Sequence, residues 1–184
     1  MKRQTGFSLT ELMIAIAIVA ILLTIGIPSY AYITNSYRTS AEVNSLLGDM
    51  QYARAEALKE GQYVTVCVSS NGTTCTGTNT WQSGWIVYSN PTNTTVPAAG
   101  SVLRVQQPFS GNPPDTFIAN NAVSAVTYNR EGFATTAAGF PNTTITLHTP
   151  TPNPVWTHCL WISPQGLLTT ETPAANQNPS GTCA

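Results

Sequence analysis

The hydrophobic positions of the chain change their spacing twice, and each change marks an element boundary. From Leu12 to Ile27 apolar residues run on without a charge. Joined to Phe7–Glu11 and wound as a helix at about 1.5 Å per residue, this stretch is roughly 31 Å long. That matches a bilayer hydrocarbon core of about 30 Å. Beyond Pro28 the apolar residues thin out. Val43, Leu46, Leu47, Met50, Ala53 and Ala57 recur at three- and four-residue steps, one stripe on an otherwise polar helix that should bury against a sheet. Pro28 predicts a bend, because proline removes a helical donor and crowds the preceding turn. Gly61 predicts the stop, as a residue free to adopt a left-handed conformation.

After Gly61 the period becomes two. Strands are predicted over 62–69, 83–89, 102–107, 123–129, 144–149, 158–163 and 167–170, each rich in β-branched or aromatic residues. Turns are predicted at Asn71-Gly72, at Arg130-Glu131-Gly132-Phe133 and at Pro164-Gln165-Gly166. Loops fill 90–100, 110–115 and 150–154, and 172–184 reads as a tail. Leading helical segment and trailing strands together predict an α+β fold, one long N-terminal helix packed on a C-terminal antiparallel β domain.

Lys2 and Arg3 precede the apolar run and predict an N-terminus on the cytoplasmic side of a membrane. A secretory signal peptide cut near Ser29-Tyr30-Ala31 has the same outline. Two features oppose it: Glu11 opens the apolar run, and the chain beyond Pro28 continues as an amphipathic helix. Glu11 is the odd residue. A carboxylate in a membrane span costs on the order of 2.5–3.5 kcal/mol and calls for a partner, unless it reaches the headgroups from the helix end.

Gly6-Phe7-Ser8-Leu9-Thr10-Glu11-Leu12 resembles the processing motif of type IV pilins and type II secretion pseudopilins. The resemblance implies a leader over 1–6, cleavage after Gly6 by a prepilin peptidase, and N-methylation of Phe7. It implies an assembly helix over 7–27, in which Glu11 neutralises the terminal amine of a neighbouring subunit, and a kink at Pro28. Further segments resemble the GspH/FimT-like branch: Ala53–Gly61, Val64–Ser69, Trp81–Tyr88, Val102–Val105 and Cys159–Gly166. The implied organisation adds an amphipathic helix over 28–60 and a β-rich domain over 61–184 in the periplasm or outside the cell. The implied partners are the prepilin peptidase, major and minor pilins or pseudopilins, and an inner-membrane assembly platform. The implied function is that of a minor type IV pilin in the pilus or its tip complex, with a type II secretion pseudopilin as the near alternative.

Composition narrows the chemistry. Charged residues make up 8% of the 184, against about 25% in an ordinary soluble chain. Past the membrane run five cations face seven anions, a balance of −2, and no lysine or arginine follows Arg130. The four cysteines, Cys67, Cys75, Cys159 and Cys183, form an even set behind an export signal, which predicts disulfides. Of three connectivities the sequence-local pairs Cys67–Cys75 and Cys159–Cys183 are expected, the first closing a hairpin loop and the second stapling the tail. No Cys-x-x-Cys exists, and His148 and His158 are not at zinc-finger spacing, so no metal or cofactor is expected.

No nucleophile elbow, phosphate loop or glycine fingerprint is present, and the chain is not expected to be an enzyme. Asp115 with His148 or His158 is the one acid–histidine pairing that spacing leaves open. Trp85 and Trp161, in strands, are expected to pack; Trp81 and Trp156, at loop edges, are open to subunit contacts. DNA-uptake pilins of the resembling family carry arginines at the C-terminal hairpin. Here that turn reads Gln165-Gly166-Leu167-Leu168-Thr169, and without phosphate-binding cations DNA is not expected as a partner.

Overall fold

The computed structural model describes residues 8–173 except 112, 137, 138, 140–142 and 152. Helix α1 spans Leu9–Glu60, 52 residues, and is helical through position 28. It ends at Gly61, whose φ of 65° supplies the expected left-handed stop. The chain separates into two compact units, 1–37 and 38–184. In the first, the large apolar side chains from Leu9 to Ile33 are all about half exposed or more, on every side of the helix.

In the second unit the rest of α1 meets, among the described residues, nine antiparallel strands: β1 (Val64–Val68), β2 (Trp85–Ser89), β3 (Val102–Gln106), β4 (Thr116–Ala119), β5 (Ala125–Tyr128), β6 (Ala134–Thr135), β7 (Thr143–His148), β8 (His158–Ile162) and β9 (Leu168–Glu171). They form two sheets, ordered β3-β2-β1-β5-β6 and β4-β7-β8-β9. The helical stripe is the centre of the core. Val43, Leu46, Met50, Ala53 and Ala57 are buried against Val64, Val66, Trp85, Val126, Ile145 and Leu160 from both sheets. Burying each large side chain stabilises the fold by about 1.5–3 kcal/mol before entropy is counted.

The second sheet alternates as a half-buried sheet should. β7 places Thr143, Ile145 and Leu147 inward and leaves Thr144, Thr146 and His148 partly exposed. β1 departs from this pattern, with all five residues buried. Its valines face the helix, whereas Cys67 joins Ile86 and Tyr88 in a smaller apolar cluster on the opposite side of the sheet. That side is therefore covered as well.

Several expectations need correction. The strands make two sheets, not one. β4 lies in a stretch given no strand, directly after the 110–115 loop, and the two residues of β6 are too few for a readable period. Trp81 is fully buried, and its indole N–H donates to the Val123 carbonyl at 3.0 Å. It packs on Trp85, which meets Phe109 and Phe117 edge-on. Trp161 is 37% exposed, on the outer face of β8. Strand membership said nothing about which face each indole would occupy.

Candidate assembly site on the N-terminal helix

Ser8 caps α1. Its carbonyl accepts from the Glu11 and Leu12 amides, and its Oγ accepts from the Glu11 amide at 3.3 Å. Ser8 followed three residues later by Glu11 is a capping-box sequence. The signal is legible in Ser8-Leu9-Thr10-Glu11 and gives Glu11 a local role at its own helix end besides the one the family resemblance implies. Glu11 lies exposed in the first helical turn. There a carboxylate interacts favourably with the unsatisfied amides of its own helix end. An exposed acceptor at the head of an exposed apolar column can receive a cation from another chain while the column buries against other helices. Gly6, Phe7 and Cys183 lie outside the described residues. Of the cysteine pairings, Cys67–Cys75 is present as a disulfide, and Cys159 is disulfide-bonded as well.

The globular end of α1 is held by polar contacts that join residues far apart in sequence. Arg38 Nε and Nη2 donate to the two oxygens of Asp115 at 2.9 and 2.7 Å, and the Asp115 side chain is fully buried. Beside them stands Glu42. Burial, followed by the Asp115 charge, raises its pKa from 4.5 to about 8, and Arg38 opposes the shift. Glu42 Oε2 is buried without a donor to accept from. A proton on Glu42, hydrogen-bonded to Asp115, removes the repulsion between the two carboxyl groups. Asp115 is thus committed to Arg38 and Glu42 and pairs with neither histidine.

About two turns further on, Asp49 accepts from Trp85 Nε1 at 2.9 Å and from Arg104 at 3.0 Å, while the Arg104 guanidinium lies 3.7 Å over the Tyr52 ring. Lys59 pairs with Glu56 and Glu60. Arg54 does not join them. Its Nε donates to the Gly132 carbonyl and its Nη2 to that of Gln165, tying both turns to the helix. A cation therefore does reach the C-terminal hairpin, but with these donors committed to backbone.

His158 Nε2 is 3.5 Å from Ser40 Oγ, and burial lowers its pKa. Among the described residues no acid is hydrogen-bonded to it, and no three His, Cys, Asp or Glu side chains are grouped to hold a metal.

An apolar, motif-bearing helix that heads an antiparallel β domain is the architecture of a type IV pilin-like protein. Residues 1–27 match the prokaryotic N-terminal methylation motif, and this part of α1 is long and apolar enough to cross a membrane. Residues 42–166 match the family described as type II transport protein GspH, and the chain belongs to that family. Two crystal structures of the type IV minor pilin FimU from Pseudomonas aeruginosa (strain PAO1) share the fold. One, in space group P21, is 18% identical with a TM-score of 0.55, covering 77% of this chain and 92% of its own. The other, in P65, is 19% identical with a TM-score of 0.51, covering 72% and 90%. Family and fold are those of structural subunits.

Proposed function

We propose that the protein is a minor type IV pilin. It is made with a leader ending at Gly6, held in the inner membrane by 7–27 with its β domain in the periplasm, cut by a prepilin peptidase and methylated on Phe7. It then enters a pilus, or the tip complex that initiates one, among major and other minor pilins. The observation that carries this reading is the exposed apolar face from Leu9 to Ile33 with Glu11 at its head. Such a surface is stable only in lipid or against other helices. Glu11 pairs with a neighbour's terminal amine in that low-dielectric setting, where a single ion pair selects register, and Pro28 bends the helix between its two halves.

The GspH description favours a second reading, a pseudopilin of type II secretion. A deletion strain separates the two: loss of pili with exoprotein secretion intact supports the minor pilin, and the reverse overturns it. Mass spectrometry of the mature protein is expected to find N-methyl-Phe7; a start near Tyr32 would refute the processing assigned here. Glu11→Val is expected to abolish incorporation while leaving membrane insertion intact. DNA uptake has no charge to support it, and retardation of DNA by the full-length protein at low salt would count against this assignment.

A further inference from the structure

The face of the first sheet turned away from α1 carries a walled groove of about 520 Å3, within the range of small-molecule sites. Its floor is Thr65, Tyr88, Ala125, Thr127 and Thr135. Thr65 and Tyr88 are paired across β1 and β2, Thr65 and Thr127 across β1 and β5, and Thr127 and Thr135 across β5 and β6. One wall is the loop that the Cys67–Cys75 disulfide pins to β1. The other is the 90–96 loop, held by the buried Asn90. Its Nδ2 donates to Thr65 Oγ1 and to the Thr94 carbonyl, both at 2.8 Å, and its Oδ1 accepts from the Thr94 amide at 2.7 Å. Asn93 in that loop adopts φ 52°. A sheet face left to solvent needs neither a covalent nor a hydrogen-bonded wall, and fixing both walls beforehand lowers the ordering cost of binding.

The chemistry of the lining selects a ligand class. Among the described residues it holds no charged side chain, so an ionic ligand gains no counter-charge. Five of the lining hydroxyls send their hydrogens to backbone carbonyls inside the protein. Thr76 donates to the Val68 carbonyl, Thr94 to that of Val96, Thr135 to that of Thr127, Thr136 to that of Gly139, and Tyr88 to that of Thr94. A hydroxyl that donates once keeps lone pairs. With the Asn93 carboxamide and the Thr95 and Ser124 hydroxyls the groove offers both acceptors and donors, with Val96 and Ala125 as apolar ground beside them. A fitting ligand is compact, uncharged, carries hydroxyls that both donate and accept, and is apolar on one face.

We propose that this groove is a binding site for a neutral saccharide, one or two sugar rings in size. The site goes beyond a structural role in a filament. It lies on the side of the sheet opposite the buried stripe of α1.

The test is saturation-transfer NMR on the full-length protein in lauryldimethylamine oxide micelles, a detergent without sugar. The probes are glucose, galactose, mannose, N-acetylglucosamine and maltose, each at about millimolar concentration, with a Thr-Ser-Thr tripeptide as the non-saccharide arm. Transfer to at least one sugar is expected. Ser124→Tyr, which places a ring in the groove, should reduce it to background. Thr135→Val, which removes one acceptor, should weaken binding about fivefold, the value of one hydrogen bond. Folding of both variants is checked by tryptophan fluorescence and by retention of the disulfides. No transfer to any sugar, transfer only to the tripeptide, or equal transfer in Thr135→Val and the parent protein would each overturn the proposal. None of these outcomes bears on pilus assembly, which is read from the deletion strain.

Discussion

Replacing Glu42 by glutamine should make the protein more stable at alkaline pH, and the structure sets the size of the effect. Glu42 keeps its proton to about pH 8 where an ordinary carboxyl releases it near 4.5. A raised native pKa means that the native state binds the proton more tightly than the unfolded chain. The associated stability is complete below 4.5 and is lost as pH rises through 8. At about 1.4 kcal/mol per pH unit the ceiling is about 5 kcal/mol. Glu42 is only half-buried, so solvent screening reduces this to on the order of 2 kcal/mol. Glutamine keeps a donor for Asp115 and does not titrate. Parent and Glu42→Gln should therefore melt together near pH 4.5 and diverge above it, the variant melting about 4–8 °C higher at pH 8. Thermal melts of the full-length protein in micelles, read from the fluorescence of the buried Trp81 and Trp85, give the comparison. His158 and the other titrating groups are common to both and cancel in the difference. Parallel curves, or a variant less stable at pH 8, would show that Glu42 does not share a proton with Asp115.

Three further outcomes are expected. The double variant Cys67→Ser/Cys75→Ser should lose about 2.5 kcal/mol in chemical denaturation, the loop-closure value for a bridge across a separation of 8. Gly166 has φ 72°, and a Cβ there would strike the Gly132 carbonyl. Gly166→Ala should cost about 2 kcal/mol or more, whereas Gly48→Ala, in open space on α1, should stabilise by about 0.5–1 kcal/mol. Trp81→Phe keeps the ring but leaves the Val123 carbonyl without its buried donor. It should cost about 1–3 kcal/mol, measured by denaturant midpoint.

The sequence by itself determined the parts of this protein that depend on local period and local chemistry. An uncharged apolar run, a stripe at three- and four-residue steps and the Gly61 stop identified α1, and alternation located seven strands to within a few residues. The eight-residue separation of Cys67 and Cys75 favoured that pair among three connectivities, and the folded chain holds it as a disulfide; the motif at Gly6–Glu11 pointed to the family. Such features are written in neighbours along the chain. What the tertiary structure decided was which distant residues meet. Arg38 and Asp115 are 77 positions apart, as Arg54 and Gly132 are 78, and nothing in either neighbourhood names the other. The division of strands between two sheets, the burial of Trp81 and the exposure of Trp161 follow from the side on which each strand is covered, and that side is set only when the sheets close over the helix. Glu42 shows the difference most directly. In sequence it is one more carboxylate on a polar helical face, and only the folded chain, by burying it beside Asp115, makes it a group that holds its proton above neutral pH.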